Sequence, residues 1–144
     1  MQRSRVGNDG AERLAKIGAL SELSIGQRRQ LARLVDQVTA AAGETLVAQG
    51  EPGYEFLMLE DGTADVIQDG QVINTVGPGD FFGELAVLDS GVPRSASVVA
   101  TSELRAIVLT AHFMREMRER IPSVGANIDR VAVERRERDA NNGR

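Results

Sequence analysis

Ile25, Leu31, Leu34 and Val35 recur at approximately helical spacing, and Ser24 stands just before them, where a hydroxyl can cap free backbone N–H groups. The pattern predicts a helix from Ser24 through Val35, with a shorter one from Ala11 to Ile17 ahead of it. Residues 1–10 are polar with two glycines and predict a disordered N-terminus. The period then changes. Residues 43–50 read as a strand between turns, and Tyr54 to Leu59 as another, closed by Asp61-Gly62. Ala64 to Ile67 runs to Asp69-Gly70, and Val72 to Val76 runs to Gly77-Pro78-Gly79. Asp-Gly pairs between short β-prone runs are the favoured hairpin signal. Ser95 to Ala100 and Leu104 to Leu109 add two more strands, and so many short strands predict a sandwich or jelly-roll barrel. Thr110 is placed to cap a helix from Ala111 to Arg120, with Phe113 and Met117 at helical spacing. Pro122 suits the first position of a last helix, along which Val124, Ile128 and Val131 form a stripe. The tail from Asp139 to Arg144 is polar and expected to fray.

A chain of 144 residues, 42% hydrophobic and 26% charged, fits one globular domain with its own core, here residues 11–138. No apolar run approaches the roughly 20 residues of a membrane span, and nothing apolar follows the N-terminus to act as a secretory signal. There is no cysteine, hence no disulfide framework, and a cytoplasmic location is expected. The net charge is −4, with the acidic excess in residues 1–112 and a slight basic excess in 113–144. That balance argues against direct nucleic-acid contact. An anionic small ligand must instead be held by local groups. The single histidine, His112, reads as a surface residue at a helix start. Metal sites need clustered ligands, so no metal is expected. No nucleophile with a base partner suggests itself, and catalysis is not expected.

The densest chemistry lies in residues 83–96. Gly83 lets the backbone approach a ligand closely, and Leu85 to Leu88 support a short helical turn beginning there. A helix start offers N–H groups and a positive dipole end to a phosphate. Glu84 is the wrong charge for phosphate but suits a pair of hydroxyls, as a ribose offers. Gly91 and Pro93 turn the chain, and Arg94 brings the forked donors an anion wants. Read blandly, the same residues make a turn, a surface acid and its salt-bridge partner. Phe81-Phe82 reads as core, and Gly50-Glu51-Pro52-Gly53 as a structural turn.

Gly83-Glu84-Leu85-Ala86 followed by Pro93-Arg94-Ser95-Ala96 resembles the phosphate-binding cassette of the cyclic nucleotide-binding domain family. That family includes bacterial catabolite activators and the regulatory subunits of cyclic-AMP-dependent kinase. The resemblance spans roughly residues 20–138. It implies a mainly β fold with flanking α-helices, in which a jelly-roll-like β-roll (a double-stranded β-helix, residues 36–110) sits between N-terminal helices in 11–35 and two C-terminal helices in 111–138. By position it assigns phosphate-binding amides to Gly83, Leu85 and Ala86, the ribose 2′-hydroxyl to Glu84, and the phosphate to Arg94 with Ser95 and Ala96. It also implies that the segment from Pro122 to Arg138 closes over the base, with Arg135 and Arg138 as candidate contacts. The bland reading of those two arginines is a solvated helix end. Cyclic AMP is the ligand expected, with cyclic GMP compatible. No winged helix-turn-helix fits after Arg138, and there is one cassette. The expectation is therefore a stand-alone, monomeric or weakly dimeric sensor without membrane contact, acting on an effector protein. The alternatives are an interaction scaffold whose pocket binds no nucleotide and a DNA-binding regulator that acts by recruiting a separate reader.

Overall fold

A computed structural model describes residues 1–17, 20–21, 23–52, 55–82, 93–122, 125–126 and 130. Two short N-terminal helices, α1 (Gly10–Ala15) and α2 (Ile25–Leu34), lead into the β structure. Ser24 caps α2 as its position predicts. Its Oγ accepts from the Gln27 backbone N–H at 3.2 Å, and the Ser24 N–H donates to Gln27 Oε1 at 2.9 Å, closing a reciprocal capping box. The predicted apolar stripe is only partly right. Leu31 and Val35 are buried, but Ile25, in the first turn, is 53% exposed. Ser24→Ala should lower stability by about 1 kcal/mol, or about 3 °C in melting temperature. Thermal unfolding of the purified variant checks this, and an unchanged midpoint would mean that α2 does not depend on its cap.

Nine strands lie among the described residues, β1 (Gln2–Arg5) ahead of α1 and the rest after α2: β2 (Asp36–Ala40), β3 (Thr45–Val47), β4 (Glu55–Asp61), β5 (Ala64–Gln68), β6 (Gln71–Val76), β7 (Phe81–Phe82), β8 (Ser97–Ala100) and β9 (Leu104–Thr110). They pair antiparallel into a five-stranded sheet, β1-β2-β9-β4-β7, and a four-stranded sheet, β3-β8-β5-β6. This is the expected β-roll. Helix α3 (Ala111–Arg120) follows directly from β9.

The period-two alternation of β4 and β9 explains how helices and roll share one sheet. Phe56, Met58, Ile107 and Leu109 point to one face, where they meet Leu14, Leu31, Val35 and Met117 from the helices and their flanks. Leu57, Leu59, Ala106 and Val108 join the other core, between the sheets, with Val38, Val98 and Ala100. Phe81 goes to the helix side and Phe82 to the roll interior, so the aromatic pair is core on both faces, as read from sequence. The Phe56 and Phe81 rings lie 5.3 Å apart, tilted at 36°.

The turns work as their residues predict. Between β5 and β6, Asp69 (φ 52°) and Gly70 (φ 80°) both take the left-handed conformation that a tight type I′ hairpin requires. In Gly77-Pro78-Gly79-Asp80, the Asp80 N–H donates to the Gly77 carbonyl at 3.0 Å. Gly79 N and Leu59 O, and Leu59 N and Asp80 O, pair at 2.8 Å each, so the turn is laid along β4 before the chain enters β7.

One expectation is corrected. Residues 2–5, read as disordered from their polarity, form β1, paired antiparallel with β2. Side chains hold what hydrophobicity does not. Arg3 donates to Asp36 at 2.9 Å and to Glu55, Gln37 donates to Ser4 at 3.0 Å, Arg5 donates to the Arg33 carbonyl at 2.8 Å, and the Met1 amino group meets Glu44. Strand β2 itself carried no sequence signal. The predicted last helix, from Pro122 to Arg138, and the tail from Asp139 to Arg144 fall largely outside the described residues.

Candidate functional site

Arg94 follows Pro93, which makes an isolated antiparallel bridge to Pro52. Proline gives no N–H, so the chain on either side is tied by its neighbours instead. Gly50 N donates to the Arg94 carbonyl at 2.8 Å, and Arg94 N donates to the Glu51 carbonyl at 2.9 Å. The turn read as merely structural, Gly50-Glu51, is thus the backbone brace of the arginine. Gly50 takes φ 85° there, a conformation glycine adopts at no steric cost.

The Arg94 side chain turns inward, and the residue is only 9% exposed. Its Nη2 donates to the Glu55 carbonyl at 2.8 Å, at the first residue of β4. A guanidinium stays protonated wherever it is placed. Burying it therefore costs free energy that an anionic oxygen with matching geometry best offsets. Glu55 also ties this point to the N-terminus, because its carboxylate accepts from Arg3.

Of the other residues named from sequence, Ser95 is exposed and Ala96 half-buried. The Ser95 carbonyl accepts from Gln68 Nε2 at 3.1 Å. Gly83, Glu84, Leu85 and Ala86 lie outside the described residues, as do Arg135 and Arg138. The structure therefore brings together Arg94, Ser95 and Ala96 with Gly50, Glu51, Glu55 and Gln68. The last four were not named as site residues from sequence. Three of them act through backbone atoms, which leave no mark on residue type.

A second charged cluster is complete in itself. The Glu60 carboxylate, 8% exposed, accepts from Arg13 Nη2 at 2.7 Å, Arg13 Nε at 2.8 Å and Arg105 Nε at 2.5 Å. Arg13 also donates to Gln37 Oε1 at 2.7 Å. Burial pushes the Glu60 carboxyl up, but the Arg13 hydrogen bonds and the charges of Arg13 and Arg105 outweigh it and hold the group below its usual range. This network clips α1 to β2, β4 and β9. Among the described residues no group of three or more His, Asp or Glu is placed to hold a metal. Among them, too, no helix is long and apolar enough to cross a membrane.

The family model for the cyclic nucleotide-binding domain matches residues 37–120, which include Arg94, Ser95 and Ala96. The cAMP-dependent protein kinase regulatory subunit of Aspergillus niger is 38% identical over 94 residues, covering 64% of this chain and 23% of that protein. The match thus spans about a quarter of such a relative's length. Among solved structures, cAMP-bound PfPKA-R superposes with a TM-score of 0.78 at 27% identity, covering 91% of this chain and 45% of that one. A cyclic nucleotide-binding domain from Methylobacillus flagellatus superposes with a TM-score of 0.75 at 25% identity, covering 92% and 79%.

Proposed function

Because this chain belongs to the cyclic nucleotide-binding domain family, we propose that it is a cyclic AMP sensor that regulates a partner protein and catalyses nothing itself. The observation that carries the reading is Arg94, a residue 9% exposed and braced at its backbone N, its carbonyl and its side chain. A cation fixed in that way is a receptor for an anion of defined position, and the cyclic phosphate supplies one. Gly83, Leu85 and Ala86 offer backbone amides to the same phosphate. Glu84 accepts from the ribose 2′-hydroxyl, which separates a ribonucleotide from its deoxy analogue. Ser95 and Ala96 complete the anion site beside Arg94. The names of the relatives support the choice of ligand, since cAMP-bound PfPKA-R is among the similar structures.

Cyclic GMP shares the phosphate and ribose, so discrimination falls to contacts with the base. Those come from the segment between Pro122 and Arg138, with Arg135 and Arg138 its cationic candidates. Binding draws this segment over the ligand, and its movement, passed through α3, is the output. The module works in the cytoplasm as a monomer or weak dimer, without direct contact with nucleic acid or membrane.

Thermal unfolding with cyclic AMP, cyclic GMP, AMP and sulfate in parallel tests the reading. A ligand at 100 times its dissociation constant stabilises by about 2.7 kcal/mol, or roughly 5–10 °C here. The expected result is that shift with cyclic AMP and little with AMP or sulfate. No shift with either cyclic nucleotide would overturn it in favour of a scaffold.

A further inference from the structure

Residues 49–51, 68–69 and 94–97 form one cross-linked corner, and it extends the site beyond Arg94. Gln49 donates from its side chain to Asp69 Oδ1 at 2.8 Å, and its Oε1 accepts from Asp69 N at 2.9 Å. The backbone N of Gln49 donates to Ser97 Oγ at 2.9 Å. The next two residues, Gly50 and Glu51, hold the Arg94 backbone. The tip of the β5–β6 hairpin is thereby fixed to the chain that leaves Arg94. Gln68, the last residue of β5, uses that fixed position to donate to the Ser95 carbonyl at 3.1 Å.

The Ser95–Ala96 peptide is trans, so its carbonyl and its N–H point to opposite sides of the chain. With the carbonyl held toward Gln68, the Ala96 N–H is directed away from β5, one peptide beyond the buried arginine. The geometry points to Gln68 as a positioning residue: it locks the Ser95–Ala96 peptide so that the Ala96 N–H, together with Arg94, meets one particular oxygen of a bound phosphodiester. This rests on the cyclic nucleotide reading above and deepens it. Gln68 touches no ligand. It sets in advance an orientation that the ligand would otherwise have to impose, which lowers the ordering cost of binding.

The experiment compares the wild-type chain with Gln68→Met, which keeps length and neutrality but has no N–H to give. Calorimetric titration with cyclic AMP should show the variant weaker by about three- to tenfold, the range that one neutral hydrogen bond spans. The ligand-free melting temperatures should agree within about 3 °C, as for a partly exposed contact. The two phosphorothioate diastereomers of cyclic AMP, each altering one exocyclic oxygen, should differ less in affinity for the variant than for the wild type. In amide NMR, the downfield movement of the Ala96 proton on binding should shrink. Equal affinity with an unchanged diastereomer ratio overturns the role of Gln68 while leaving the sensor reading intact. A wild-type chain that takes up no cyclic nucleotide overturns both. Should Gln68→Met fail to fold, Gln68→Glu, of matching shape and without a donor at neutral pH, carries the same expectations.

Discussion

Arg94→Ala is expected to weaken cyclic AMP binding by about 2–5 kcal/mol, the range for truncating one partner of a buried, hydrogen-bonded charge pair. In dissociation constants that is about 30-fold to several thousand-fold. The size follows from placement: Arg94 is 9% exposed, so solvent screens its interaction with an anion far less than at the surface. The fold should survive, because the bonds from Gly50 N and to the Glu51 carbonyl use the Arg94 backbone and remain after truncation. Calorimetric titration on a variant with an unchanged circular dichroism spectrum measures the loss. Arg94→Lys should recover only part of it, since an ammonium cannot keep one N–H on the Glu55 carbonyl and present a planar fork to the phosphate. An affinity unchanged in Arg94→Ala would remove the arginine from the site.

How far the sequence reveals such a site depends on whether side chain or backbone does the work. Arg94 stood out through the resemblance of its segment to the family's cassette; by spacing alone it reads equally well as a salt-bridge partner of Glu84. Glu55 did not stand out, because what it gives Arg94 is a carbonyl, and any residue has one. Gln68 was hidden for a different reason: a glutamine at the end of a half-exposed strand is ordinary until the partner of its amide is known. The fold divides along the same line. Asp69-Gly70 announced its hairpin because two successive left-handed residues exclude most other pairs. Strand β1 has no apolar residue at all, and its ladder to β2 and its arginine contacts exist only once Asp36 and Glu55 are brought beside it. Strand pairing order, β1-β2-β9-β4-β7, is likewise a long-range property that no local pattern encodes.

Glu60→Gln is expected to cost about 2–4 kcal/mol of folding stability at neutral pH. Removing one partner of a fully buried pair costs about 3–5 kcal/mol. The lower range applies here because the Arg105 side chain is 43% exposed and its share is screened. Arg13 is the main loser: its side chain is 11% exposed, and two of its N–H groups meet this one carboxylate. The amide of glutamine would turn a donor toward those donors. The melting temperature should fall by roughly 6–12 °C. The pH dependence separates charge from packing. Because the Glu60 carboxyl is held below its ordinary value of 4.5, its contribution is fully present above that value. It is lost as pH falls through the lower folded-state value, where both states become protonated. Urea unfolding at pH 7 and at successively lower pH should therefore show the wild-type advantage over Glu60→Gln narrowing only below about pH 4.5. A gap that stays constant into acid would mean that shape, not charge, clips α1 to the roll. The core on the α1 face of β4 and β9 would then carry that attachment alone.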